Sequence, residues 1–219
     1  MATSKDTAIQ DYYRERAPVY DEVYAYPERQ ADVTQLQEII PALLADQQLL
    51  EVAAGTGYWT QYIAPVVKHH TAIDFTPQAL ARLEQRPACK SVETLVLDAY
   101  QLQTLEPVYT ALFAGLWLSH VPRQRLPKFL ASVHKLLPDN APIVFLDNSS
   151  AQCQRLPITE TDGQGNTYQQ RPLKNGSIHR VLKNFPTEAQ LLEATQGWSR
   201  EGVFLELENF WLFHCRNRK

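Results

Sequence analysis

Only three cysteines occur in 219 residues, far apart at Cys89, Cys153 and Cys215. They are too few and too scattered for a disulfide scaffold. None forms a Cys-x-x-Cys pair, so the spacing supplies no zinc motif either, and a reducing compartment fits best. No apolar run reaches the ~20 residues that span a bilayer. The opening Met-Ala-Thr-Ser-Lys-Asp is polar and lacks the apolar core of a signal peptide. A soluble, cytoplasmic protein with no membrane partner and no metal is therefore expected. Basic residues are not in excess: 21 Lys and Arg stand against 24 Asp and Glu, a formal charge of −3. That balance argues against a broad phosphate-binding stripe, so no nucleic-acid partner is expected. Internal repeats and Gly/Ser-rich linkers are also lacking.

What is present is an ordinary globular composition, 44% hydrophobic, 21% charged and 10% aromatic. The length suits one domain with a sizeable core, spanning 1–219. From about Thr7 to Asp46 the pattern is helical with an interruption at Pro27, and Val33, Leu36, Ile39, Ile40, Leu43 and Leu44 share one face. Short apolar runs then alternate with helical stretches. Gln48–Ala53, Thr71–Phe75, Val92–Leu97, Ala111–Leu118 and Pro142–Asp147 read as strands, with helices over Tyr58–Val67, from Thr76-Pro77 onward, and over Leu126–Leu137. This alternation predicts an α/β fold with a doubly wound, mostly parallel sheet covered on both faces. Between Ser149 and Ser177 the pattern weakens into a long loop or hairpin. Ile178–Leu182 is strand-like, and Pro186-Thr187-Glu188 opens another helix. Gly202–Leu207 and Asn209–Cys215 follow each other too closely for a crossover helix, which requires an antiparallel hairpin.

Ligands of open α/β sheets sit beyond the carboxyl ends of the strands. The first strand ends in Glu51-Val52-Ala53-Ala54-Gly55-Thr56-Gly57, whose glycines permit a tight turn and close backbone approach. Asp74, seventeen residues past Gly57, ends the second strand, placed to accept from a ribose diol. Asp98 ends the third, where a carboxylate followed by a backbone amide reads an adenine edge. A glycine pair alone is a weak signal; in register with two carboxylates at successive strand ends it points to a nucleoside-type ligand.

With these motifs in order over Leu49–Asp147, and more loosely beyond, the chain resembles the class I S-adenosylmethionine-dependent methyltransferases of small-molecule type. The resemblance implies a seven-stranded Rossmann-like sheet with an antiparallel last strand. It also implies a helical cap over 1–46, a cofactor-binding core over 47–148, and an acceptor-side loop with terminal strands over 149–219. S-Adenosylmethionine is the implied cofactor and S-adenosylhomocysteine the product. Gly55 and Gly57 would border its methionine portion, and Glu51 would shape the loop or contact the amino group. Asp74 would hold the ribose, Asp98 and Ala99 would meet the adenine, and Ala53, Phe75 and Leu116 complete the cofactor set. Ala53 departs from the family's usual first glycine. Ala114-Gly115-Leu116-Trp117-Leu118-Ser119-His120-Val121-Pro122 is similar to the segment that closes over the cofactor and begins the acceptor pocket. The run from Tyr12 to Asp21 is similar to the cap helix, where a tyrosine covers the methionine end; Tyr20 is the expected one.

Tyr12, Trp117, His120 and Asn148 are the candidate acceptor contacts, and His120 the candidate general base. His120 could equally cap or pack under the helix after Pro122, and asparagine also suits a turn. A base is needed only if the attacking atom still carries its proton. Trp211 reads as core of the last strand, and His179 as solvated or structural. Asn-Pro-Pro-Tyr and Asp-Pro-Pro-Tyr are absent after the fourth strand, as is a nucleophilic Pro-Cys pair, which sets aside two DNA-methylating subclasses. The expected function is methyl transfer to a small-molecule acceptor by a monomer or homodimer. A nicotinamide-dinucleotide oxidoreductase stays open, although Thr60 occupies the third glycine position of its fingerprint. So does a non-catalytic adenosylmethionine-binding protein.

Overall fold

The computed structural model describes residues 17–219 apart from Pro107 and Lys174. A 3-10 segment, Ala17–Tyr24, and a 3-10 turn, Pro27–Arg29, precede helix α1, Gln30–Leu44. The interruption expected at Pro27 is therefore a tight turn, with regular helix only beyond it. Val33, Leu36, Ile40 and Leu44 are buried along one face of α1.

The alternating pattern then unfolds as β1 (Gln48–Val52), α2 (Thr60–Ile63), β2 (His69–Asp74), α3 (Pro77–Glu84), β3 (Glu93–Val96) and β4 (Ala111–Gly115). Next come α4 (Leu126–Leu136), β5 (Pro142–Asn148), β6 (Glu160–Thr161), β7 (Thr167–Pro172) and β8 (Ile178–Leu182). Helix α5 (Glu188–Thr195) and strands β9 (Ser199–Glu206) and β10 (Phe210–Asn217) complete the chain. Seven strands form one sheet in the order β3-β2-β1-β4-β5-β10-β9. Strands β1 to β5 pair parallel, and β10 runs antiparallel to both β5 and β9. The expected seven-stranded sheet with its terminal hairpin is present.

Side-chain alternation explains why both faces are covered. Leu49, Phe113, Val144, Leu146, Phe210 and Leu212 join α1 in one core, while Leu50, Val52, Leu112, Ile143, Phe145, Trp211 and Phe213 join α4 in the other. Each such burial contributes about 1.5–3 kcal/mol, so tertiary packing holds these elements rather than local propensity. Trp211 is 3% exposed, within the core as expected.

Several expectations need correction. The helix read over Tyr58–Val67 is a single turn, Thr60–Ile63, since Pro65 cannot donate to a continuing helix. The fourth strand stops at Gly115 because Leu116 takes φ +55, which turns the chain out of the sheet. Thr76 occupies the N-cap of α3 without a side-chain cap hydrogen bond. Thr187 and Gln190 instead form a reciprocal capping box at α5. The weakly patterned stretch after Ser149 holds β6 and β7, which pair with β8 as a three-stranded antiparallel sheet. No described helix is long and apolar enough to cross a membrane. Cys89, Cys153 and Cys215 are free thiols.

Candidate active site

Parallel strands deliver their following loops to one edge of the sheet, and two cavities open there. The first has about 590 Å³ of space and is lined by Tyr20, Ala53, Gly55, Thr56, Asp74, Phe75, Thr76, Ala79, Leu116, Trp117 and His120. Six expected cofactor residues therefore meet: Tyr20, Ala53, Gly55, Asp74, Phe75 and Leu116. Trp117 and His120, expected at the acceptor, line it too.

The turn after β1 is built from left-handed backbone, with φ +55 at Ala53, +57 at Gly55 and +78 at Gly57. Ala53 and Leu116, at the ends of neighbouring strands, hold this conformation with a Cβ, which costs each roughly 1–2 kcal/mol. Strain of this kind persists where the surroundings over-determine it. Here Gly55 N–H donates to Asp74 Oδ2 at 2.9 Å and Thr76 N–H to Asp74 Oδ1 at 2.8 Å. The Asp74 carboxylate thus fixes the glycine turn and keeps acceptor capacity on both oxygens. Burial pushes its pKa up, against the pull of the Thr76 and Gly55 hydrogen bonds.

A second tie fastens the turn from outside. Thr56 Oγ1 donates to Asp21 Oδ1 at 2.6 Å, Arg86 Nε donates to the Thr56 carbonyl at 2.7 Å, and Arg86 pairs with Asp21. The segment before α1 is thereby linked to the turn after β1, with Tyr20 Cε1 4.0 Å from where a Gly55 Cβ would lie. No local motif marked this Asp21–Arg86 link, because its partners lie 65 positions apart.

Other expected cofactor residues lie outside the cavity lining. Glu51 is buried, and its carboxylate meets His70 Nε2 at 2.8 Å, joining β1 to β2. A Cβ on Gly57 would fall 2.6 Å from Leu83 Cγ, so this glycine lets the turn pack on α3. Asp98 accepts from Tyr100 N–H at 2.9 Å and caps the following 3-10 segment, and Ala99 is buried in the core. Tyr12 lies outside the described residues.

The second cavity, with about 500 Å³ of space, shares Tyr20, Leu116 and His120 with the first. Asn148, expected at the acceptor, lines it; it is 3% exposed and its Oδ1 has no hydrogen-bond partner. Arg29, Gln152, Arg155, Arg171 and Lys183 also line it, none of them anticipated from sequence. Beneath it, Lys183 Nζ donates to Asp147 Oδ1 at 2.8 Å and to Ser119 Oγ at 2.7 Å. Ser119 N–H donates to Asp147 Oδ2 at 2.9 Å. Burial pushes Lys183 down to about 8, against the pull of Asp147. Burial raises Asp147, but the Lys183 charge and its hydrogen bonds outweigh this and hold it below the usual carboxylate range. Both groups are charged at neutral pH.

His120 stands where the two cavities meet. Its Nδ1 lies 2.7 Å from the Leu182 carbonyl; a carbonyl only accepts, so Nδ1 carries the proton and Nε2 is the acceptor nitrogen. Burial and then the charges of Lys183 and Arg171 push its pKa well below the ordinary value, so the ring is neutral at pH 7.

Residues 49–140 match the family model described as a methyltransferase domain. No curated protein matches the sequence. Among solved structures, the chain is similar to DhpI in complex with SAH, at 24% identity and TM-score 0.79 over 100% of this chain and 99% of that one. It is similar to a DhpI–SAM–HEP complex at 25% identity and TM-score 0.78, over 99% of each chain. The N-methyltransferase NodS from Bradyrhizobium japonicum WM9, in complex with S-adenosyl-l-homocysteine, aligns at 18% identity and TM-score 0.65 over 99% of this chain and 100% of that one. Residues 49–140 thus carry a methyltransferase-domain match, and the strand order places them in the seven-stranded fold these solved structures share.

Proposed function

We propose that the first cavity holds S-adenosylmethionine and that its methyl group passes to a small-molecule acceptor in the second. The observation that carries this reading is the meeting of the two cavities at Tyr20, Leu116 and His120. One chamber ends where the other begins, as a donor and an acceptor in contact require. The DhpI structure holding both SAM and HEP shares this fold over its length, which supports assigning one chamber to each ligand.

The first chamber suits the cofactor on its own residues. Asp74 keeps acceptor capacity for a diol after its two backbone hydrogen bonds. Phe75 and Ala79 offer apolar surface for a flat base, and the left-handed turn at Ala53 and Gly55 brings bare backbone to the wall. Tyr20 covers the Gly55 side, while Trp117 adds aromatic wall elsewhere in the chamber. When bound, the cofactor supplies a methyl carbon already activated by its sulfonium. The protein's own contribution is placement, which is worth roughly 7–11 kcal/mol when the reacting atoms are held in line. His120, neutral and tied to Leu182, orients an acceptor hydrogen through Nε2; its lowered pKa makes it a weak proton store at neutral pH. An acceptor atom that is already deprotonated suits it best.

Enclosure favours a small metabolite over a protein segment, because Arg29, Arg171 and Lys183 of the second chamber are buried rather than spread along a groove. A cytoplasmic setting suits the three free thiols. Calorimetric titration of the purified chain with adenosylmethionine, adenosylhomocysteine and NAD tests the cofactor assignment. Both sulfur nucleosides should bind, and Asp74→Ala should weaken them by about a hundredfold, the loss of two charge-assisted hydrogen bonds. Preference for NAD, or no binding of either sulfur nucleoside, would overturn it.

A further inference from the structure

Four cations, Arg29, Arg155, Arg171 and Lys183, line the second cavity, and no Asp or Glu is among the described residues that line it. Three of them are deeply buried, with Arg29 5%, Arg171 4% and Lys183 1% exposed. Asp147 lies behind Lys183 and Glu28 behind Arg155. Arg29 donates to the Val23 carbonyl at 3.2 Å, an uncharged acceptor, and Arg171 donates to Gln169 Oε1 at 2.8 Å through Nη2. The cations also repel one another: Arg171 and Arg29 both push Lys183 down, and Lys183 and Arg171 push His120 down. Like charges gathered in a buried chamber with no carboxylate among its described lining residues are expensive unless an anion joins them. Two amide oxygens add a second demand. Asn148 Oδ1 and Gln152 Oε1 are buried without a hydrogen-bond partner, although such groups are nearly always satisfied.

Building on the two-chamber reading above, we propose that the methyl acceptor carries an oxyanion, either a carboxylate or a phosphoryl-type group. Arg29, Arg171 and Lys183 hold that oxyanion, while Asn148 and Gln152 accept from a hydroxyl or amine beside it. The chain's overall charge of −3 hides this site, because its cations come from four separate stretches and converge only in three dimensions. Guanidinium forks suit the paired oxygens of such an acid. The anion also neutralises the chamber without a proton changing hands, consistent with a His120 that stays neutral.

The test uses the whole chain, first saturated with adenosylhomocysteine and then titrated calorimetrically with three probes: lactate, inorganic phosphate and neutral propane-1,2-diol. At least one acid should bind saturably and raise the melting temperature, with the diol silent; which acid binds distinguishes a planar carboxylate from a tetrahedral phosphoryl group. Arg171→Gln should weaken that acid by about tenfold or more, leaving adenosylhomocysteine affinity unchanged. The comparison of acid with diol on the unmodified protein keeps the proposal testable even if the variant misfolds. Adenosylhomocysteine bound normally, with both acids silent or no better than the diol, would overturn the acceptor assignment alone. Failure of adenosylhomocysteine itself to bind would overturn the two-chamber reading and this assignment with it.

Discussion

Lys183→Met removes the cation from the most deeply buried ion pair among the described residues, beneath the second cavity. Lys183 and Asp147 are 1% and 0% exposed, with Nζ 2.8 Å from Oδ1. Methionine preserves the length of the side chain, so the main change is an Asp147 carboxylate without its counter-charge. Breaking such a pair from one side costs about 3–5 kcal/mol. The Ser119 N–H at 2.9 Å and Asn148 N–H at 2.8 Å remain on the carboxylate and temper the loss, which places it near the lower end, about 3 kcal/mol. Urea unfolding followed by tryptophan fluorescence at pH 8 should show the midpoint falling by about 1–2 M. The abandoned carboxylate has its folded pKa raised above the unfolded value. The variant therefore takes up a proton on folding and regains stability as pH is lowered from 8 toward 5. Asp147→Asn combined with Lys183→Met should recover most of the loss, since no buried charge is left. A loss under about 1 kcal/mol, or a double variant as weak as the single one, would refute the reasoning.

Two further outcomes follow from the site's geometry. Gly57→Ala should cost about 2–4 kcal/mol, combining left-handed strain with overpacking against Leu83, because φ is +78 and a Cβ would lie 2.6 Å from Leu83 Cγ; thermal unfolding measures it, and an unchanged melting temperature would contradict the packing role. His120 has a folded pKa below its unfolded value, so the unfolded chain binds the proton first as pH falls. Stability should decline below about pH 6.5 by up to about 1.4 kcal/mol per pH unit for this group, and denaturant curves of His120→Gln should show a shallower decline.

Much of the fold was legible because parallel strands buried on both faces read as unbroken apolar runs. Gln48–Val52 and Pro142–Asn148 lie within one residue of their expected bounds, and the short gap between the last two runs required the β9–β10 hairpin. Boundaries failed where backbone conformation overrode pattern, as at Leu116, or where a helix was too short to display its period, as at Thr60–Ile63. The lining of the first cavity was legible for a related reason: Ala53, Asp74, Phe75 and Leu116 stand at the ends of β1, β2 and β4, and topology sends strand ends to one edge. Position at a strand end did not distinguish lining from support: Glu51, Gly57, Asp98 and Ala99 stand outside the lining of the first cavity. The basic wall of the second cavity was illegible. Its residues are separated by up to 154 positions, from Arg29 to Lys183, and only tertiary packing assembles them.

The central claim is methyl transfer from adenosylmethionine to a small acceptor, and labelled transfer tests it most directly. Purified protein, methyl-labelled adenosylmethionine and a cell extract separated into small-molecule and macromolecular fractions would be incubated, then assayed for label and adenosylhomocysteine. Label entering the small-molecule fraction with matching adenosylhomocysteine, and lost in Asp74→Ala, is the predicted result. Label confined to macromolecules, or no adenosylhomocysteine from either fraction, would contradict the account.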